Sequence, residues 1–188
     1  ALAMSSVAER LIDEEAGIAR LFTPPFVDGT HDPGYIRGYP AGLRENGGQY
    51  SHAAMWVVLA YTKLGLGDRA VALFGMLNPL HHTRNAAELA RYKVEPYVLA
   101  ADVYGVAPHV GRGGWTWYTG AAGWMYRAGV EGILGIRREG DTLLVDPCIP
   151  ADWPGFEATV RLGSHALTIV VTRGEAGALL DNRPIARE

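Results

Sequence analysis

Apolar residues recur at Val7, Leu11, Ile12, Ile18 and Leu21. This helical spacing predicts a first helix, capped by Ser5 or Ser6 and ended by Pro24 and Pro25. An irregular stretch rich in proline and glycine runs from Pro24 to Gln49. A loop that long in a compact protein is usually functional or lies over a larger body. Ser51 to Leu64 is apolar almost all round, through Ala53, Ala54, Trp56, Val57, Val58, Leu59, Ala60 and Tyr61. That pattern predicts a helix buried on every side, stopped by Gly65 and Gly67. Asp68 then caps a helix to about Leu77, and Pro79 opens a loop into a short helix near Ala86 to Tyr92. Pro96 fits a first helical position and predicts a helix over Val94 to Tyr104. Gly111 to Gly114 reads as a turn and Ala121 to Gly132 as a further helix.

The period changes near Gly135. Asp141 to Val145, Ala158 to Leu162, Leu167 to Thr172 and Leu179 to Leu180 alternate or carry β-branched residues between turn signals, as strands do. Arg161-Leu-Gly-Ser-His165 reads as a hairpin connection. Helices followed by strands give an α+β class. A helix buried on every side needs neighbours all round, and this inventory barely supplies them. A piece of a larger helical toroid has this character.

Composition narrows the function. Apolar content is 48% and charged content 20% over 188 residues, an ordinary soluble balance. The formal net charge of −3 provides no basic field to recruit nucleic acid. Lys63 and Lys93 are the only lysines among 17 basic residues. Arginine is the fork-shaped partner of phosphate and carboxylate, although high-GC codon usage explains the bias equally well. Cys148 is the only cysteine, which leaves no internal disulfide and no multi-cysteine metal site. Its strand-like setting reads as that of a small buried hydrophobe. No apolar run reaches the roughly 18 residues that cross a bilayer. Ala1 to Met4 lacks the basic and apolar regions of a signal peptide and reads as an expression leftover.

Two dense blocks carry the candidate chemistry. Arg44-Glu-Asn-Gly-Gly-Gln-Tyr-Ser-His52 places Arg, Glu, Asn, Gln and His around two glycines, directly before the apolar helix. Gly111-Arg-Gly-Gly-Trp-Thr-Trp-Tyr-Thr-Gly-Ala-Ala-Gly-Trp-Met-Tyr-Arg127 mixes glycines with aromatics. Glycine lets backbone amides approach a ligand, aromatic faces stack on sugar rings, and Arg and His donate to anionic oxygens. Together the blocks suggest a pocket for a sugar and a phosphate. Plainer readings stand beside this one. His52 can be a core or capping histidine, Trp115, Trp117 and Trp124 can be core aromatics, Arg112 can be a solvated loop charge, and Glu45 can simply pair with Arg44. His81-His82 has no third ligand at metal-binding spacing and reads as a solvated loop pair. Gly111-Arg-Gly-Gly114 lacks the strand–loop–helix context of a nucleotide loop.

Ordered along the chain are Tyr39-Pro40, Arg44-Glu-Asn-Gly-Gly-Gln49 with His52, Val94-Glu-Pro-Tyr97, Gly113-Gly-Trp-Thr-Trp-Tyr-Thr-Gly120 with Gly123-Trp124, and Pro147-Cys-Ile-Pro150 with Trp153. This series resembles the inverting disaccharide and glucan phosphorylases, which include the cellobiose and chitobiose phosphorylases. It is most similar to the C-terminal phosphorylase-like region of cyclic β-1,2-glucan synthases.

The resemblance implies a C-terminal fragment. Residues 5–135 would be the closing helices of an (α/α)6 toroid, and 136–188 a small antiparallel, jelly-roll-like β module of β-sandwich type. It implies that inorganic phosphate is a co-substrate and that no cofactor is needed. Phosphate cleaves a β-glycosidic bond with inversion, replacing the water and general base of an inverting hydrolase, so a single carboxylic acid is needed. That acid would lie upstream of Arg44, and none of Asp13, Asp28, Asp32, Asp68 or Asp102 falls in a matching motif. The chain alone would therefore not turn over substrate. Matched residue by residue, the phosphate contacts would be His52, Thr119 and Gly120, and the sugar contacts Arg44 and Glu45, with Asn46, Gln49 and Trp117. Ala100 and Ala101 stand where disaccharide-specific members often carry glutamine, which fits a longer-glucan branch.

The implied partners are a β-glucan oligosaccharide, phosphate or a sugar 1-phosphate, the remainder of the parent chain, and a second copy through exposed toroid faces. No nucleic acid and no direct membrane segment are implied. The location would be a soluble cytoplasmic portion of an inner-membrane parent. Two alternatives remain open: a glucan-holding module without turnover, and a remnant of an inverting (α/α)6 hydrolase, which would need two carboxylates about 6.5–9.5 Å apart.

Overall fold

The first helix, α1 (Leu2–Arg10), is shorter than its periodicity predicts. Ile12 and Ile18 belong instead to an antiparallel pair, β1 (Ile12–Asp13) and β2 (Ile18–Ala19). Asp13 is the cause. Its Oδ1 accepts from the Ala16 amide at 2.9 Å, and its Oδ2 pairs with Arg20 at 2.7 Å. A short acidic side chain that bonds the nearby backbone offers a turn in place of the next helical bond. These details come from a computed structural model, which describes residues 2–27, 29, 32–117, 119–174 and 177–185.

Two compact units divide the chain, Ala1–Pro150 and Ala151–Glu188. In the first, β3 (Gln49–Tyr50) leads directly into α2 (Ser51–Lys63). Ala54, Met55, Val58 and Tyr61 of α2 are buried with Ala70, Leu73 and Leu77 of α3 (Gly67–Leu77). The opposite side of α2 is only partly covered among the described residues: Val57 and Leu59 are half-buried and Trp56 is 51% exposed. An apolar helix is therefore half-clad here rather than buried all round. Asp68 does not cap α3. Leu66 occupies the capping position, and Asp68 sits in the first turn, where a carboxylate favours the positive end of the helix dipole.

Asn85 caps the next helix, α4 (Ala86–Tyr92), accepting from the amides of Ala87 and Glu88. A left-handed Lys93 ends it. The helix predicted over Val94 to Tyr104 is absent. Asp102–Val103 form β4, antiparallel to β3, with Tyr50 opposite Asp102. The backbone groups a helix would have used are taken elsewhere. The Tyr92 hydroxyl donates to the Val98 carbonyl and accepts from the Ala100 amide, each at 3.2 Å. The Ala101 amide donates to the Trp115 carbonyl at 2.6 Å. Tyr92, Ile18, Ala100 and Val103 form a second, smaller core.

His82, expected in a solvated pair, is buried and stacks on Tyr92 with ring centroids 5.1 Å apart. Burial holds its imidazole below the ordinary 6.5. The folded chain therefore binds this proton less readily than the unfolded chain, and stability falls as pH drops below about 6.5. Urea unfolding between pH 7.5 and 5 is expected to show that loss, and His82→Phe, which keeps the stacking but cannot charge, is expected to flatten it.

α5 (Thr119–Arg127) packs on α2 and continues into a π-helical turn at Ala128–Ile133. A hairpin of β5 (Ile136–Glu139) and β6 (Thr142–Val145) closes the first unit. The second unit holds a long hairpin of β7 (Gly155–Leu162) and β8 (His165–Thr172), with Leu162 opposite His165 at the turn expected there. Phe156, Ala158 and Val160 face Val171, Ile169 and Leu167 across it and form one half-buried apolar face. A short pair, β9 (Leu179–Leu180) and β10 (Arg183–Pro184), follows. The class is thus α+β with small antiparallel sheets. Among the described residues no helix is long and apolar enough to cross a membrane.

Candidate functional site

The loop before β3 is built from its own side chains inward. Asn46 is fully buried. Its Oδ1 accepts from the Phe26 amide at 2.7 Å, and its Nδ2 donates to the carbonyls of Phe26 at 3.0 Å and Tyr39 at 2.8 Å. Gln49, also buried, accepts from the Ala19 amide at 2.9 Å and donates to the Ser51 hydroxyl at 3.2 Å. Of the residues matched to the sugar subsite, these two spend their amides on holding the loop. Gly105 lies against the same loop so closely that a Cβ there would meet the Gly47 carbonyl oxygen at 2.2 Å.

Arg44 and Glu45 stand on this frame. Arg44 adopts a left-handed backbone, φ +47°, which an arginine rarely takes. Its guanidinium lies 5.0 Å from the Trp115 ring, 5.2 Å from Tyr50 and 5.7 Å from Tyr39, and donates to the Tyr50 hydroxyl at 2.9 Å. Three rings around a largely buried guanidinium hold the cation by its face. Burial weakens the charge, but the Tyr50 hydrogen bond and nearby charges prevail and raise the Arg44 pKa. Arg44 Nε lies 3.9 Å from Glu45 Oε2.

His52 opens α2 and is half-buried between Tyr50, at 4.5 Å, and Trp56, at 5.2 Å. Burial holds its imidazole below the ordinary 6.5, partly opposed by Glu45. Trp56 meets Trp124 of α5 edge-on at 5.6 Å, and Arg127 covers Trp124 at 5.0 Å. Thr119 and Gly120 open α5. Ala101 links the start of α2 to Trp115, in the segment that precedes α5. The Ser51 amide donates to the Ala101 carbonyl at 2.8 Å, while the Ala101 amide donates to the Trp115 carbonyl. The side chains of Thr119 and Asp28 lie outside the described residues.

Trp117 stands apart from the Arg44 cluster. It is 68% exposed, takes φ +59°, and donates from Nε1 to Glu95 at 2.9 Å beside Tyr97. That hydrogen bond is the main reason the Glu95 carboxyl sits below its usual range. The arrangement also includes residues that sequence reasoning did not single out for the site, Tyr39, Tyr50 and Asp102. No local sequence signal marks the short strand that brings Tyr50 and Asp102 together.

Comparison with known proteins gives this geometry a family. The chain is similar to the cyclic beta-(1,2)-glucan synthase NdvB of Rhizobium meliloti (strain 1021), 55% identical over 171 residues that cover 91% of this chain and 6% of that protein. It is 39% identical to the N,N'-diacetylchitobiose phosphorylase of Vibrio furnissii over 160 residues, 84% of this chain and 19% of that enzyme. It is 26% identical to the 1,2-beta-oligoglucan phosphorylase of Listeria innocua serovar 6a over 153 residues, 74% of this chain and 14% of that enzyme. The chain thus spans between 6% and 19% of the length of these relatives. Residues 1–135 match the Glycosyl hydrolase 94 superfamily, catalytic domain, a stretch that holds both the Arg44 loop and the start of α5, and the chain belongs to that family.

Proposed function

We propose that this chain is the C-terminal part of a carbohydrate phosphorylase-type domain acting on β-linked glucans, within a protein of cyclic β-1,2-glucan synthesis or chain-length control. Residues 5–135 are the closing helices of an (α/α)6 toroid and 136–188 a jelly-roll-like β module. His52, Thr119 and Gly120 contact phosphate, and Arg44 and Glu45 line the neighbouring sugar subsite. Asn46 and Gln49 serve that subsite by fixing the loop, and Trp117 offers an exposed face to a longer glucan. Phosphate acts as co-substrate without a further cofactor. The general acid comes from the remainder of the parent, so this chain alone does not cleave glucans. The parent is anchored at the inner membrane and this part faces the cytoplasm.

One observation carries the reading most. His52, in the first turn of α2, packs on Tyr50, whose hydroxyl accepts from an arginine that lies over Tyr50 and Trp115. An imidazole beside a guanidinium suits a phosphate, and the aromatic and carboxylate surface next to them suits a sugar. Titration of the labelled chain with phosphate and with glucose 1-phosphate, followed by NMR, tests it. Saturable shifts at His52 and at Thr119–Gly120 are expected, weakened at least about tenfold in His52→Ala, the worth of one charge-assisted hydrogen bond. Shifts that do not saturate, or that survive His52→Ala unchanged, would overturn the phosphate assignment.

A further inference from the structure

Asp102 has no part in the functional reading so far, yet it is the most constrained carboxylate among the described residues. It is wholly buried on β4, directly across the strand pair from Tyr50. Its Oδ1 accepts from the Trp115 amide at 3.1 Å, and its backbone carbonyl accepts from the Gly114 amide at 2.8 Å. A Cβ on Gly114 would stand 2.5 Å from Asp102 Oδ2, so only glycine leaves room for the carboxyl there. Three buried polar atoms of this neighbourhood make no hydrogen bond: Asp102 Oδ2, Glu45 Oε2 and Arg44 Nε. Each acts electrostatically on the next, for Arg44 attracts Asp102 and Glu45 repels it. Buried polar atoms without partners are rare and ask for an explanation.

We propose that Asp102 is a positioning residue of the sugar subsite, whose buried carboxyl holds the Arg44 guanidinium against Tyr39, Tyr50 and Trp115 and thereby leaves Glu45 to accept a sugar hydroxyl. The proposal rests on the reading that Arg44 and Glu45 line that subsite. The charges explain why a second carboxylate is useful. One guanidinium facing only Glu45 would close on it as an ordinary pair, and Glu45 would have little left for a ligand. Asp102 draws on the same cation from the strand behind it, and Arg44 Nε stays 3.9 Å from Glu45. Burial prevails and raises the Asp102 pKa, opposed by the Trp115 amide and then Arg44, with Glu45 adding to the rise. The groups around it are Arg44, Glu45 and, across the strand pair, Tyr50; Tyr39 also lies against the guanidinium and His52 against Tyr50. The carboxyl touches no solvent, so it acts through Arg44 and does not itself meet a ligand.

The Arg44 Nε–Hε signal in the NMR spectrum of the whole 188-residue chain reads this directly, alongside titration with a β-1,2-linked glucose disaccharide. Asp102→Asn keeps the shape and the Trp115 bond but removes the charge. It is expected to shift the Arg44 signal and speed its exchange with water, leave the Met55 methyl of the main core unmoved, and weaken the disaccharide at least roughly tenfold. Gly114→Ala displaces the carboxyl without altering any charge and is expected to act in the same direction, so it decides the matter if Asp102→Asn fails to fold. An Arg44 signal indifferent to both variants, in a chain that still binds the disaccharide at Glu45, overturns the role of Asp102 and leaves the subsite standing. An Arg44 signal that answers to Asp102 in a chain whose Glu45 never responds to disaccharide overturns the subsite reading instead, and the proposal with it.

Discussion

Asn46→Ala is expected to lower the stability of the first unit by about 3 kcal/mol, as three buried hydrogen bonds are lost at once. The side chain joins three separate pieces of chain, at Phe26, at Tyr39 and in the 42–46 turn. Alanine leaves the Phe26 amide and two carbonyls without the partner that the fully buried Asn46 supplies, which is why the loss exceeds that of a typical surface polar residue. Asn46→Asp is expected to be worse at neutral pH. It turns a donor aimed at two carbonyl oxygens into a third negative oxygen. Urea unfolding followed by circular dichroism measures both. A loss below about 1 kcal/mol for alanine would mean that the loop finds other partners. The Arg44 loop is expected to lose order before the α2–α3 core does, so ligand binding should fail at lower urea than global structure.

Gly105→Ala is the second large effect, again about 3 kcal/mol or more, by overpacking rather than by lost bonding. The new methyl would meet the Gly47 carbonyl oxygen at 2.2 Å, and neither backbone is free to retreat. The Gly105 amide donates to the Gly42 carbonyl at 2.8 Å, and Arg20 reaches the Gly105 carbonyl at 3.4 Å. The strand β4 and the Arg44 loop must part, which should move Asp102 away from Arg44 as well. Gly123→Ala is the matched comparison. It lies in α5 with nothing within 4 Å of a new Cβ, and it is expected to be neutral or stabilising by up to about 1 kcal/mol, the usual preference of a helix for alanine. Equal behaviour of the two variants in thermal unfolding would refute the steric account.

Local signals in the sequence were sufficient wherever the structure is local. The apolar run from Ser51, the stop at Gly65, the short helix over Ala86 to Tyr92 and the hairpin turning at Gly163-Ser164 all lie within a few residues of their determinants. The failures have two causes, one a local side-chain turn and one long-range bonding. Ile18 looked helical because its spacing from Leu11 and Ile12 is right, but Asp13 captured the Ala16 amide. Pro96 looked like a helix start, but the segment after it is fixed by Tyr92, Trp115 and the β3 strand, 8, 14 and about 50 residues away. Of the candidate site, the sequence blocks around Arg44 and Trp115 were legible as blocks. The Arg44–Trp115 contact and the buried Asp102 were not, because β3–β4 pairing and the bonds of residues 113–115 to 101–103 make them neighbours across the sequence. The sequence also held no sign that Asn46 and Gln49, matched to the sugar subsite by resemblance, bond backbone and hydroxyl groups of the chain itself.

The left-handed backbone at Arg44 has an evolutionary consequence. At φ +47° a glycine or asparagine would sit with less strain, so the local backbone selects against the residue that is there. Arginine persists at such a position only while its guanidinium is needed. On the proposal that Arg44 lines a sugar subsite, a duplicated copy released from that role should drift first at this codon, toward glycine, while Asn46 and Gly105 stay fixed by folding. Position 44 would then gauge, without an assay, whether a descendant keeps the proposed subsite.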